Sequence, residues 1–179
     1  MEQNTKNVTA LSNEMRNSYV LNQITEAMVE LLKEKEMSNI SISELCDKAQ
    51  IGRTSFYRNF ESKEAIVEFI IERKIDEWDS SRDKESEEGI SQFFGQLTGH
   101  LKENEELYLL LEKRGLLHSL LNVLLKKTGP TIEDSNVWAY TKAFIAYGTF
   151  GWLQAWISRG MQESAEEMTQ LLLSSGYQK

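Results

Sequence analysis

An all-α fold is predicted by three features of the sequence. A single proline and ten glycines in 179 residues leave long stretches uninterrupted. Apolar residues recur within those stretches at helical spacing. Serine–glutamate pairs three residues apart stand at two of the expected helix starts. The chain is 40% hydrophobic and carries four tryptophans, enough for a core and unlike a disordered chain. One cysteine excludes an intramolecular disulfide framework and fits a reducing compartment. No run of ~18 apolar residues suggests a membrane span, and the start, MEQNTKNVTALSNEMRNSYV, has no apolar segment of the secretory type. The expectation is a soluble, cytoplasmic protein.

Residues 1–14 are polar and without period, and are read as a flexible arm. From Val20 the apolar positions Val20, Leu21, Ile24, Ala27, Met28, Leu31 and Leu32 trace one face of a helix ending near Lys35. Ser41 with Glu44 predicts a capping box, and Ile40 with Leu45 its hydrophobic staple, so a short helix runs from Ser41 to about Ala49. Gln50-Ile51-Gly52 is a turn, and a third helix covers Arg53–Asn59 with Gly52 as N-cap. Ser62 caps a fourth helix that starts at Lys63 and reaches Trp78. Asp79–Glu88 holds seven charged residues in ten and reads as a surface connection. Five further helices are expected, over Ile90–Asn104, Leu107–Lys113, Leu116–Lys127, Asn136–Arg159 and Ser164–Ser174. Gly115, Thr128-Gly129-Pro130 and Gly160 separate them. The total is about nine helices, with no strand and no internal repeat.

Ile40–Phe60 is two short helices joined by a tight turn behind a longer helix, the layout of a helix-turn-helix whose second helix enters the DNA major groove. Between Ile51 and Phe60 there are two arginines, no acid, and Thr54, Ser55, Tyr57 and Asn59. These side chains donate to phosphate oxygens or read base edges. Phe56 and Phe60, four apart, face inward, so polar and core positions do not compete.

The run from Ser41 to Ile66, and above all Thr54-Ser55-Phe56-Tyr57-Arg58-Asn59-Phe60 followed by Ser62-Lys63-Glu64, resembles the N-terminal DNA-binding domain of TetR/AcrR-type transcriptional regulators. The resemblance covers roughly residues 17–70. It implies a recognition helix at Arg53–Asn59, with Arg53, Thr54 and Ser55 toward base edges or nearby phosphates. Tyr57, Arg58 and Asn59 would lie on the phosphodiester backbone. Lys63 would meet a phosphate at the first turn of the fourth helix, and Ser43 is a further phosphate candidate. Two positions depart from the family pattern. Gln50 stands where glycine is usual and the helix ends left-handed, and Gly52 replaces a serine-like cap. Ser41–Lys63 holds four basic and three acidic residues, a small positive island on a chain of net charge −8. That balance argues for selective DNA binding with few phosphate contacts.

Tyr147-Gly148-Thr149-Phe150-Gly151-Trp152, Trp156–Met161 and Glu163–Met168 are similar to the last two helices of the TetR subgroup that includes the dihydroxyacetone kinase regulators. Gly148, Gly151 and Ala155 form one small-residue face, which suits a homodimer through Val137–Ser174. The expected organisation is an arm over 1–14, a DNA-binding domain over 15–62, and a helical ligand-binding and dimerisation domain over 63–179, with the helix 63–80 connecting the two. The resemblance implies a repressor that leaves an inverted-repeat operator on duplex DNA when a small-molecule effector binds the C-terminal domain. Candidate effector contacts are His100, Tyr108, Trp138 and Tyr147, for which core, interface or surface roles stand as alternatives. Cys46, mid-helix beside Leu45, is read as structural. No phosphate loop, His-Glu metal pattern or glycine-flanked nucleophile is present, so no enzyme, cofactor or metal is expected. The alternative reading is an activator or co-regulator controlled by a protein partner, without a small-molecule site.

Overall fold

The computed structural model describes residues 2–81 and 90–175. Among them lie nine α-helices, one 3-10 turn and no strand, so the all-α class holds. The helices are α1 (Glu2–Glu34), α2 (Ile42–Lys48), α3 (Arg53–Asn59), α4 (Lys63–Ser81), α5 (Ile90–Glu103), α6 (Glu105–Lys113), α7 (His118–Thr128), α8 (Asn136–Ser158) and α9 (Ala165–Ser174). Most of the charged Asp79–Glu88 connection lies outside the described residues. The arm expected over 1–14 is instead the first turns of α1. Its sequence has no glycine or proline to stop a helix propagating back from the anchored segment.

The chain divides into two compact units, residues 1–70 and 71–179. The division falls inside α4 and not at its start. Ile66 and Val67 from its first half are fully buried, and Phe69 meets Phe60 edge-to-face with centroids 5.4 Å apart. In this first unit the stripe read from the sequence is the buried face of α1, with Ile24, Met28, Leu31 and Leu32 inside. Ile40 and Leu45 are buried as the staple predicts. Ser41 Oγ accepts from the Glu44 N–H at 3.1 Å, but the Glu44 carboxylate takes the Lys35 ammonium at 2.6 Å. A cation within reach outbids a backbone N–H, and the reciprocal half of the expected capping box goes to an ion pair. The 3-10 turn Met37–Asn39, not foreseen from sequence, brings the chain from α1 to α2 and buries Met37.

In the second unit α5 packs along α9, and α7 and α6 pack on α8. Gly95 and Gly99, one turn apart on α5, face Thr169 and Ala165 on α9, and a Cβ on Gly95 would lie 2.6 Å from Thr169 Oγ1. The close approach of α5 and α9 therefore rests on the missing side chain. The Ser164–Glu167 capping box forms in full, with both reciprocal bonds. Gly115 and Gly160 end α6 and α8 at positive φ, and the expected edges of α5 to α9 agree to within two residues. Lys126 bonds Glu72 at 2.8 Å and Lys127 pairs with Asp76, fastening the end of α7 to the second half of α4.

Candidate DNA-binding surface and effector site

The turn between α2 and α3 is built by backbone bonds. Ile51 N–H donates to Cys46 O at 3.0 Å and Gln50 N–H to Asp47 O at 3.2 Å, with Gln50 at φ 54°. This is a Schellman ending with glutamine at the left-handed position. Gly52 then opens α3 in extended conformation, and its carbonyl accepts from Ser55 at 2.9 Å. Phe56 is fully buried and Phe60 nearly so, their rings tilted 6.3 Å apart. Arg53, Thr54, Tyr57 and Arg58 are consequently exposed, with Ser55 and Asn59 half-buried. Tyr57 sets its ring edge-on to Phe56 at 5.2 Å while remaining 60% exposed.

The remaining candidates are already engaged within the unit. The Arg53 guanidinium donates to Ser43 Oγ at 2.5 Å, joining two predicted contacts from α2 and α3 into one polar pair. Asn59 turns back to donate to Ser55 O at 2.7 Å. Lys63 donates to Met37 O at 2.7 Å and Ile40 O at 2.6 Å, so its ammonium also serves as a tie holding the 3-10 turn to the start of α4. Ser62 Oγ accepts from the Ala65 N–H at 3.1 Å, as the sequence predicts for that cap. Two of the neighbouring acids are paired with lysines. Glu44 is held below the usual carboxylate range by its bond to Lys35, and Lys48 approaches Glu34 at 3.4 Å. Arg58 and Arg53 make no ion pair among the described residues, which leaves α3 with the net positive charge of the surface. Cys46 is buried, and burial pushes its thiol pKa up, so it packs rather than reacts.

Two adjoining cavities lie among the described residues of the second unit. One, of about 410 Å³, lies between α5, α8 and α9 and is walled by Phe93, Phe94, Trp152 and Leu172. The other, of about 430 Å³, is bordered by Trp78, Leu97, Lys127 and Thr128; Phe93, Ile145 and Thr149 line both. Of the four candidate effector contacts, Tyr147 alone lines one of these cavities. His100 stacks on Trp78 at 5.9 Å, and burial lowers its pKa. Tyr108 is fully buried with its hydroxyl unbonded, and burial drives that pKa far above the usual phenol range. Trp138 is 62% exposed at the start of α8. Sequence reasoning placed weight on residue types and missed Phe93, Phe94 and Leu172, whose helical spacing looks like ordinary core.

A helix-turn-helix with a polar, cationic second helix, followed by an all-helical unit with open cavities, defines a DNA-binding transcriptional regulator. The chain belongs to the TetR family. Residues 24–70 match the family described as bacterial regulatory proteins, tetR family, and residues 88–175 match the transcriptional regulator C-terminal region. An uncharacterized HTH-type transcriptional regulator, YxbF of Bacillus subtilis (strain 168), is 38% identical over 50 residues, 28% of this chain and 13% of that protein. The matching segment thus spans about an eighth of that relative's length. Among solved structures, Lin0861 from Listeria innocua superposes with a TM-score of 0.70 at 17% identity, over 91% of this chain and 92% of the other. A TetR transcriptional regulator from Streptococcus agalactiae 2603V gives 0.58 at 18% identity, over 93% and 98%. At these identities the two structures share the fold. No described helix is long and apolar enough to cross a membrane, and no described cluster of three or more His, Cys, Asp or Glu could hold a metal.

Proposed function

We propose that this chain is a homodimeric repressor that reads an inverted-repeat operator with α3 and leaves it when an effector binds the second unit. The observation that carries the reading is α3 itself. One face buries Phe56, and the opposite face presents Arg53, Thr54, Tyr57 and Arg58 with no carboxylate among them. Arg53, steadied by Ser43, is the candidate for a base edge, with Thr54 and Ser55 beside it. Tyr57, Arg58, Asn59 and Lys63 are the candidates for the phosphate backbone. The dimer is formed by α8 and α9, whose exposed side carries Val137, Tyr140, Phe144 and Tyr147. Bringing two such faces together would cover them and space one recognition helix per half-site. The effector acts by binding two arrangements of the dimer with different affinity.

Titration of variants against a selected duplex and its single-base changes, at two salt concentrations, tests this. Arg53→Ala is expected to relax preference at one base position at a cost of roughly 1–3 kcal/mol. Tyr57→Phe weakens all sequences alike, and Arg58→Ala does so while reducing the salt slope by about one. Lys63→Ala also weakens all sequences, and it loosens the 3-10 turn as well because of its two carbonyl bonds. No loss in any variant would remove α3 from the groove.

The exposed aromatic side of α8 also suits a second reading, an activator or co-regulator controlled by a protein partner. Cavities above ~300 Å³ favour the effector reading, and sedimentation separates the two. A stable homodimer covers the patch, whereas a monomer leaves it for another protein.

A further inference from the structure

We infer that the 410 Å³ cleft between α5, α8 and α9 takes an uncharged apolar or aromatic small molecule, and that α8 of a second copy closes its open side. The inference rests on the homodimer proposed above and specifies its effector. Among the described residues the cleft wall carries no charged side chain, and Thr149 and Tyr147 supply its two side-chain hydroxyls. A charged ligand would lose its hydration there without a counter-ion, a cost of several kcal/mol, whereas a neutral ring would not. The volume falls inside the ~300–1,000 Å³ range of small-molecule sites. The wall is braced, since Phe94 meets Trp152 edge-to-face at 5.9 Å and Phe93 meets Trp78 at 5.6 Å.

The mouth of this cleft is where the second copy would arrive. Phe144 and Gly148 line the cleft, and with Gly151 and Ala155 they form one exposed stripe at the spacing of successive helical turns. A Cβ built on Gly148 or Gly151 meets nothing within 4 Å, so the stripe stands open to close helix approach. Charge selects the occupant. Each chain carries −8, yet α8 holds no carboxylate and its single charge, Lys142, is bonded to Asp134 at 2.7 Å. A second copy can meet this face without the repulsion it would encounter elsewhere. Tyr140, Phe144 and Tyr147 are 72%, 64% and 56% exposed. At about 150–250 Å² per aromatic side chain they offer roughly 300–500 Å², about half of what each partner gives a standard interface. A ligand in the cleft would thus touch both copies and bind the dimer more tightly than the monomer.

The test uses the full chain and the neutral fluorophore N-phenyl-1-naphthylamine, with sedimentation across concentrations that bracket dimer dissociation. The parent is expected to bind the probe saturably, and saturating probe to tighten dimerisation about tenfold. Gly151→Leu and, independently, Ala155→Glu alter residues outside the cleft wall. Each should weaken the dimer and lower probe affinity about tenfold in parallel. Leu172→Trp should fill the cleft, abolish probe binding and leave the dimer intact, with Leu172→Phe as the milder variant if the first misfolds. A dimeric parent that excludes the probe would mean partner side chains fill the cleft, and equal affinity in parent and dissociated variants would mean the partner adds nothing. Either result overturns the inference and leaves the dimeric regulator standing. A monomeric parent overturns both.

Discussion

Gln50 holds φ at 54°, where the comparable endings of α6 and α8 use Gly115 at 66° and Gly160 at 85°. A side chain in the left-handed region costs on the order of 1 kcal/mol that glycine avoids. Gln50→Gly is therefore expected to stabilise the first unit by roughly 0.5–1 kcal/mol, read as a higher urea midpoint at unchanged slope. An unchanged or lower midpoint would show that the turn holds glutamine without strain. His100 makes a second residue-scale case. Burial is the largest influence on its imidazole and lowers the folded-state pKa, while Glu103 opposes that shift. Below the unfolded value of about 6.5 the unfolded chain binds the proton first. Stability is accordingly full above that pH and falls as the pH drops from it toward the lowered folded value. His100→Gln should lessen the drop in Tm between pH 7.5 and pH 5.5, and an identical drop in both proteins would contradict the assignment. Neither effect could be sized from sequence. The left-handed ending at Gln50 was legible only through the family resemblance, and the stacking of His100 on Trp78 joins residues on different helices.

At the scale of elements, local chemistry was readable and long-range choice was not. The Arg53–Asn59 helix, the Ser62 cap and the Ser164–Glu167 box all appear as read, because each depends on neighbours within four residues. Glu44 chose Lys35, nine residues away, over the predicted backbone N–H, and Lys63 reached back to Met37 and Ile40. Spacing alone does not expose such choices. Glycines show the same division. The sequence singled out Gly148 and Gly151 as a packing face, and in the chain by itself both stand open. Gly95, unremarked in sequence, is the one pressed against Thr169. One substitution at two sites should separate these roles. Gly95→Leu overpacks the α5–α9 contact and should cost about 1–3 kcal/mol or more of folding stability. Gly151→Leu should leave the monomer's stability within about 1 kcal/mol, since leucine is the better helix former, and should dissociate the dimer. Chemical denaturation at concentrations where the protein is monomeric, paired with sedimentation, reads both. Equal stability losses would contradict the assignment of the open α8 face to self-association.

For the whole molecule, charge and architecture together define how DNA would be approached. A chain of net −8 gains little from indiscriminate phosphate attraction, so affinity has to come from the small cationic face of α3, which the proposed dimer would duplicate. The all-α class and the helix-turn-helix were legible because periodicity, caps and turn residues agree with one another. The two cavities were not, because a cavity is a property of helices brought together from distant segments. The most direct measurement is selection of bound sequences by the 179-residue chain from a pool of randomised duplexes at near-physiological salt. The expected result is an inverted repeat whose half-sites lie on one side of the duplex, with Arg53→Ala losing preference at one symmetric pair of positions. Enrichment of no sequence, or of a repeat that Arg53→Ala, Tyr57→Phe and Arg58→Ala bind as the parent does, would contradict DNA reading by α3.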